Sequence, residues 1–109
     1  MIKKKEDYLL LLSQFLKSNH KKVGFIFMAH YLYILYSESK NRFYIGQTDN
    51  LELRLRYHNA GYVKSTKPGR PWKIVLTKSF PDRSSAMKEE SRLKRAKNRS
   101  YLEKYISTG

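Results

Sequence analysis

Two short segments of strand-forming residues, separated by five polar residues, constrain the fold of this chain more than any other feature. Residues 31–36 read YLYILY and residues 42–46 read RFYIG. Aromatic and aliphatic residues of this kind favour extended backbone, and a polar connection of this length typically joins neighbouring antiparallel strands. The pattern therefore predicts a β-hairpin at the start of a folded domain.

The chain after this hairpin alternates between helix and strand signals. Residues 51–59 alternate Leu with charged residues, as a strand would, but Leu, Glu and Arg favour helix, and we predict a helix. Asp49 or Asn50 is expected to cap it and Gly61 to end it. The other predicted elements are a loop over 62–71, a strand over 72–80, a helix over 86–97 capped by Ser84 or Ser85, and a final helix around 101–106.

These elements predict an α/β fold of the α+β type, in which a small three-stranded antiparallel sheet is flanked by helices. The N-terminal 29 residues are expected to form a separate extension, and residues 30–109 the domain. Within residues 1–22 an amphipathic helix is predicted from the apolar residues Leu9, Leu12, Phe15 and Leu16. An alternative is that the natural product begins at Met28.

A net charge of +14 on only 109 residues is the first indication of function. A small basic fold repels itself, so the charge predicts a polyanionic partner, either nucleic acid or an anionic membrane surface. A solvated basic surface without a partner is the alternative. The aromatic content of 14% argues against a disordered basic tail.

The chain contains no cysteine, and this excludes disulfides, zinc–thiolate sites and a thiol nucleophile. Its composition fits a reducing compartment, and a cytoplasmic location is expected. No apolar run approaches the length of a transmembrane span, so membrane insertion is not expected.

Three further features of the sequence could contribute to a functional site. Arg54 and His58 are four residues apart and would lie on one face of a helix, where they could hold a phosphate and accept a proton. Glu90 lies on the same helical stripe as apolar residues, so its carboxylate is expected to face the domain, where it either pairs with Arg or binds a metal. Glu89 is expected to face away. Gly46, at the end of a strand, would allow a close approach of the backbone.

The order and spacing of these residues resemble the GIY-YIG nuclease family. The resemblance begins with Tyr31–Tyr33 and Tyr44–Gly46, continues through Arg54 and His58, and ends with the segment around Glu90. It covers residues 30–106, and the chain looks like the small, stand-alone bacterial branch of that family, whose domain resembles the N-terminal nuclease domain of the excision-repair incision subunit.

The resemblance implies a set of catalytic roles, which fall on Tyr33, Tyr44, Arg54, His58 and Glu90. Glu90 would hold one Mg²⁺ or Mn²⁺ ion, Arg54 would brace the phosphate, and Tyr33 or Tyr44 would act as general base with help from His58. The chain departs from the family pattern at the first triplet, at Gln47, where Lys is frequent, and at the late asparagine, for which Asn98 is the one candidate.

The predicted function is that of a metal-dependent DNA endonuclease, with a role in repair or in processing branched DNA inferred from the resemblance. Backbone contacts without sequence readout are assigned to basic residues of the loop and of the second helix: Lys64, Lys67, Arg70, Arg92, Lys94 and Arg95. The alternatives are a nucleic-acid-binding module that cleaves weakly or not at all, and an interaction protein that uses the N-terminal helix.

Overall fold

The computed structural model describes residues 29–109, and the predicted N-terminal helix lies outside the described residues. The described part contains, in chain order, strands β1 (His30–Ser37) and β2 (Arg42–Thr48), helix α1 (Leu51–Ala60), a short 3₁₀ turn (Lys67–Gly69), strand β3 (Trp72–Phe80), and helices α2 (Arg83–Ala96) and α3 (Arg99–Thr108). The predicted three-stranded α+β fold is confirmed, and the segment of alternating Leu is helical.

Strand β1 is the centre of the sheet, with β2 on one side and β3 on the other, both antiparallel to it. Every residue of β1 except His30 is buried. This explains why its sequence is a nearly continuous apolar run, since both faces of the strand are covered. The register pairs Tyr33 with Gly46 on β2 and with Thr77 on β3.

The two faces of the sheet separate two apolar clusters, because successive side chains of a strand point to opposite sides. On the face covered by α1, the buried cluster consists of Tyr31, Tyr33, Leu35, Leu51, Trp72 and Ile74. On the face covered by α2 and α3, it consists of Leu32, Ile34, Ile45, Leu76 and Leu93. No helix within residues 29–109 combines the length and the apolarity that crossing a bilayer requires.

The helix ends confirm one prediction of capping and correct another. Asn50 caps α1 by accepting the backbone N–H of Leu53 at 3.1 Å, and Gly61 ends that helix in the left-handed conformation with φ 87°. The prediction that Ser84 or Ser85 caps α2 is wrong. Asp82 is the cap, since its carboxylate accepts the Ser85 N–H at 2.8 Å, and the helix therefore begins at Arg83.

Candidate active site

The phenol of Tyr33 is at the centre of the predicted catalytic cluster. Tyr33 lies on the central strand with only 2% of its surface exposed. Its oxygen accepts a hydrogen bond from Nε of Arg54 at 3.3 Å and lies 2.9 Å from Nε2 of His58. The helix α1 supplies both partners because residues 54 and 58 are one turn apart on the face that packs on the sheet.

Gly46 leaves the space that the Tyr33 phenol occupies. The two residues are paired across β1 and β2, and a Cβ atom on Gly46 would lie 2.5 Å from the phenol oxygen. No side chain at position 46 could be accommodated without displacing Tyr33. The glycine of the Tyr44–Gly46 segment is therefore a steric requirement of the site, as its close-approach interpretation predicts.

The hydrogen bonds around His58 determine which ring nitrogen carries the proton. His58 is fully buried, and its Nδ1 lies 2.8 Å from Oγ1 of Thr66. The Thr66 hydroxyl donates to the carbonyl of Val63 at 3.3 Å, so its oxygen is left to accept the Nδ1–H of His58. Nε2 is then the unprotonated nitrogen and accepts the hydroxyl proton of Tyr33. The result is a directional chain of hydrogen bonds from Arg54 through Tyr33 and His58 to Thr66.

Burial shifts the pKa values of the central pair in opposite directions. Desolvation raises the pKa of Tyr33 to about 12, even though the hydrogen bond from Arg54 opposes the shift. Desolvation, followed by the charge of Arg54, lowers the pKa of His58 to about 4. At neutral pH the phenol therefore keeps its proton and the imidazole is a neutral base.

Tyr44 lies on the same face of the sheet as Tyr33 and covers the buried pair. Its ring meets that of His58 edge to face, with centroids 4.8 Å apart, and lies 6.2 Å from that of Tyr33. Tyr44 itself is partly exposed, unlike Tyr33. Interactions with both phenols, the Tyr33 hydrogen bond foremost, raise the pKa of the Arg54 guanidinium. The two tyrosines and Arg54 thus form one cluster with Tyr44 on its outer side.

Thr66 and Asn59, which the sequence patterns did not single out as functional, hold the loop and the end of α1 against the start of β3. The Thr66 carbonyl accepts the indole N–H of Trp72 at 2.6 Å. The side-chain amide of Asn59 accepts the backbone N–H of Trp72 at 2.6 Å and donates to its carbonyl at 3.1 Å. A buried threonine in a polar loop carries no sequence signal, since only the folded chain brings it to His58.

Glu90 lies on α2 and acts on the cluster through its charge. Its side chain is 19% exposed and forms an ion pair with Nζ of Lys94 at 2.5 Å. Its negative charge contributes to the raised pKa of Tyr33. The expectation that Glu89 faces away is wrong. Glu89 is similarly covered at 20%, since its carboxylate accepts the hydroxyl of Tyr105 at 2.7 Å and pairs with Arg92, which lowers its pKa to about 2.

The donor set beside the cluster matches the needs of magnesium rather than those of a closed metal site. The part of the chain that the structure describes holds no group of three or more His, Asp or Glu side chains that could ligate a metal together. Mg²⁺ commonly takes one or two carboxylates and completes its octahedron with water and substrate phosphate. A single carboxylate at Glu90 fits that pattern, and fits Mn²⁺ in the same way.

The basic residues predicted to hold nucleic acid occupy three different places. Lys64, Lys67 and Arg70 lie on the loop after α1, where Nε of Arg70 donates to the Lys67 carbonyl at 2.8 Å. Two others are engaged within the protein, because Arg92 pairs with Glu89 and donates to Tyr101, and Lys94 pairs with Glu90. Arg95 lines an open groove on the outer side of α2, together with Arg83, Ser84, Met87, Lys88 and Ser91.

Two of the positions at which the chain departs from the family pattern, Gln47 and the candidate Asn98, have structural partners. The side-chain oxygen of Gln47 contacts Nε2 of His30 at the edge of the sheet. Asn98 caps α3, where its side chain accepts the Tyr101 N–H at 3.1 Å. The Asn98 side chain is therefore used in helix capping.

Comparison with known proteins identifies a matching family and several similar proteins. Residues 29–105 match the family described as the GIY-YIG catalytic domain. UPF0213 protein OB0043 of Oceanobacillus iheyensis is 41% identical over 66 residues, which are 60% of this chain and 76% of that protein. The solution structure of UPF0213 protein BH0048 from Bacillus halodurans is 32% identical, covers 74% of this chain and 85% of its own, and has a TM-score of 0.49.

A longer relative is the structure-specific endonuclease subunit SLX1 homolog of Cryptosporidium parvum. It is 42% identical over 66 residues, but these make up 56% of this chain and only 16% of that protein. The similarity thus concerns one domain of a larger protein. Since the family match spans the whole described sheet and all five predicted catalytic residues, the chain belongs to the GIY-YIG catalytic domain family.

Proposed function

We propose that this protein is a divalent-metal-dependent endonuclease that hydrolyses phosphodiester bonds of DNA. The observation that carries the proposal is the hydrogen-bonded chain from Arg54 through Tyr33 to the neutral His58, with the Glu90 carboxylate nearby. Hydrolysis needs a base for water, a cation for the phosphate and stabilisation of the leaving oxygen. The cluster offers a group for each of these needs.

Tyr33 and His58 act together as the base. Tyr33 is better suited than Tyr44 because its hydroxyl already has a proton acceptor at 2.9 Å. The gap between the two pKa values keeps the proton on Tyr33 in the free protein. Proton transfer from Tyr33 Oη to His58 Nε2 therefore accompanies the arrival of a proton from the attacking water, so the phenol is never left as a free phenolate.

The other residues orient and neutralise the substrate. The Arg54 guanidinium, held by Tyr33, braces the phosphate, and the partly exposed Tyr44 positions the water on the outer side of the pair. Thr66 acts through His58 as a positioning residue, because it keeps the proton on Nδ1 and leaves Nε2 free to accept. Glu90 would hold one Mg²⁺ or Mn²⁺ ion, which when bound would supply charge neutralisation at the phosphate and at the leaving 3′ oxygen.

The DNA is held through its backbone by Lys64, Lys67 and Arg70, with Arg95 on a separate surface. Arg92 and Lys94 remain part of this proposal, but each must exchange a carboxylate partner for a phosphate. The similarity to a structure-specific endonuclease subunit supports a substrate that is chosen by its structure, for which we propose branched DNA, with DNA repair as the proposed setting.

A cleavage assay tests the proposal on branched, nicked and single-stranded DNA with Mg²⁺. We expect the natural protein to cleave and Glu90→Ala and Arg54→Ala to be inactive while still folded. Equal cleavage by the natural protein and Glu90→Ala would overturn the proposal.

A second candidate is a nucleic-acid-binding module that retains the fold without cleavage. The ion pair between Lys94 and Glu90 favours it, because a neutralised carboxylate is a weaker metal ligand. Binding of DNA without Mg²⁺-dependent cleavage, by the natural protein and by Lys94→Ala alike, would support this candidate.

A further inference from the structure

Two exposed tyrosines lie side by side at the C-terminal end of α1. The side chains of Tyr57 and Tyr62 are 39% and 76% exposed, and their ring centroids are 5.6 Å apart in an edge-to-face arrangement. Tyr62 is the most exposed large hydrophobic residue of the described chain. Exposed aromatic surface of this kind is available to a ligand.

The backbone holds the two rings in place. Gly61, between them, adopts the left-handed conformation, and its N–H donates to the His58 carbonyl at 3.2 Å. The next N–H, of Tyr62, donates to the Tyr57 carbonyl at 3.1 Å. The tyrosine pair is thus built on a hydrogen-bonded helix end, and the site is preformed rather than dependent on loop closure.

The segment of chain that carries the pair is basic. Residues 53–81 contain seven Lys and Arg and no Asp or Glu. The Arg70 guanidinium packs beside Gly61, with Nη1 2.8 Å from the position that a Cβ atom there would take. Lys67 lies on the same turn and accepts a hydrogen bond from Arg70 through its carbonyl. The chemistry combines an aromatic platform with cations, which suits a base next to phosphates better than an apolar peptide.

The same segment of chain supplies the buried part of the candidate active site. His58 follows Tyr57 directly, but its side chain points inward and is fully buried, whereas Tyr57 faces solvent. Thr66, four residues after Tyr62, binds His58 from the loop. A ligand on the two tyrosines therefore lies on the outer side of the turn whose inner side holds the proton relay.

We propose that Tyr57 and Tyr62 form a stacking site for an unpaired nucleobase of single-stranded DNA, with Lys67 and Arg70 contacting the flanking phosphates. The inference rests on the proposed action on DNA and adds to it a contact that recognises unpaired bases. Stacking on aromatic side chains is tolerant of sequence because every base has a π face. The site thus selects a single-stranded segment next to the cleavage centre without reading its sequence.

The test compares binding of an oligonucleotide that carries its bases with binding of one that lacks them. The full chain is titrated in EDTA, so that cleavage cannot occur, with a single-stranded oligonucleotide, with an abasic oligonucleotide of equal length, and with a blunt duplex. We expect Tyr62→Ala to weaken binding of the intact single strand about tenfold and to leave binding of the abasic strand and of the duplex unchanged. Tyr62→Phe keeps the ring and should bind as the natural protein does.

The controls separate stacking from charge and from folding. Tyr101→Ala removes a tyrosine on α3 that is as exposed as Tyr57, and it should not affect the single strand selectively. Lys67→Ala should weaken the intact and the abasic strands alike, with a smaller dependence on salt. An equal effect of Tyr62→Ala on the intact and the abasic strands, or no effect on either, would overturn the inference.

Failure of the stacking site can be distinguished from failure of the proposed nuclease function. Tyr62-dependent binding of the intact strand by a protein that does not cleave DNA with Mg²⁺ would support the stacking site and refute the nuclease. Cleavage by a Tyr62→Ala variant that binds all three probes as the natural protein does would refute the stacking site alone.

Discussion

Nε2 of His58 lies 2.9 Å from the phenol oxygen of Tyr33, and both side chains are buried between helix α1 and the central strand. The Arg54 donor on one side and the Thr66 acceptor on the other give this contact a direction. The pair is therefore set to pass a proton from phenol to imidazole, and several measurements follow from that arrangement.

Thr66→Val should remove the hydrogen bond that keeps the ring proton of His58 on Nδ1. The substitution keeps the volume but removes the hydroxyl oxygen that accepts the Nδ1 proton, and leaving that buried donor unpaired should cost about 1–3 kcal/mol of unfolding free energy. Imidazole ¹⁵N shifts report the tautomer directly. Thr66→Ser is the matched control and should retain both the tautomer and cleavage. An unchanged Nδ1–H population in Thr66→Val would contradict the assignment.

The stability of the fold should depend on pH through His58. Its pKa is about 4 in the folded state against an ordinary 6.5, so between these values the unfolded chain binds the additional proton. The free energy of unfolding should therefore fall as the pH drops from 6.5 towards 4, by about 3 kcal/mol at most. Urea denaturation at several pH values measures this slope.

A His58→Gln variant separates the contribution of His58 to the pH dependence of unfolding from the contribution of the carboxylates. It should be less stable at neutral pH and should lose the slope between pH 6.5 and 4.5. Glu89 contributes in a lower window, because its pKa is about 2 and its stabilisation is lost only below 4.5. A slope above pH 4.5 that persists in His58→Gln would show that another group is responsible.

Glu90→Gln should abolish Mg²⁺-dependent cleavage, with a loss of about 100-fold or more, because an amide is a poor ligand for a hard cation. Glu89→Gln provides a matched control on the adjacent residue, which is equally covered but bonded to Tyr105 and Arg92. That variant should be destabilised and still cleave. Comparable activity losses in the two variants would argue against a specific role for Glu90.

Gly46→Ala should displace the Tyr33 phenol, since the new Cβ would lie 2.5 Å from its oxygen. We expect a loss of about 1–3 kcal/mol in unfolding free energy, as for other overpacked sites, together with a loss of cleavage. The cost should largely disappear in a Tyr33→Ala background, where the ring is absent. Equal costs in both backgrounds, measured by urea denaturation, would exclude the steric explanation.

Local sequence patterns were sufficient for much of this fold. The apolar run of β1, the polar connection to β2 and the helix formers between Asn50 and Gly61 each favour one local structure strongly, and each element forms where it is expected. The cap of α2 was misassigned because Asp82, Ser84 and Ser85 are all acceptable capping residues. Only the backbone path selected Asp82.

The candidate site shows the same division. Arg54 and His58 could be paired from their helical spacing, and the full set of Tyr33, Tyr44, Arg54, His58 and Glu90 could be named only from the resemblance to the GIY-YIG family. The role of Thr66 and the burial of Glu89 could not, because both depend on contacts between residues far apart in sequence.

By itself, the sequence determined the elements and the basic character of the chain, because these follow from local propensity and side-chain chemistry, and its resemblance to a known family named the residues that could take part in hydrolysis. Tertiary structure decided which of those residues meet, in which protonation state, and in which direction a proton can pass. The reason is physical: pKa values and tautomers depend on burial and on partners such as Thr66, and these exist only once loop, helix and sheet have packed together.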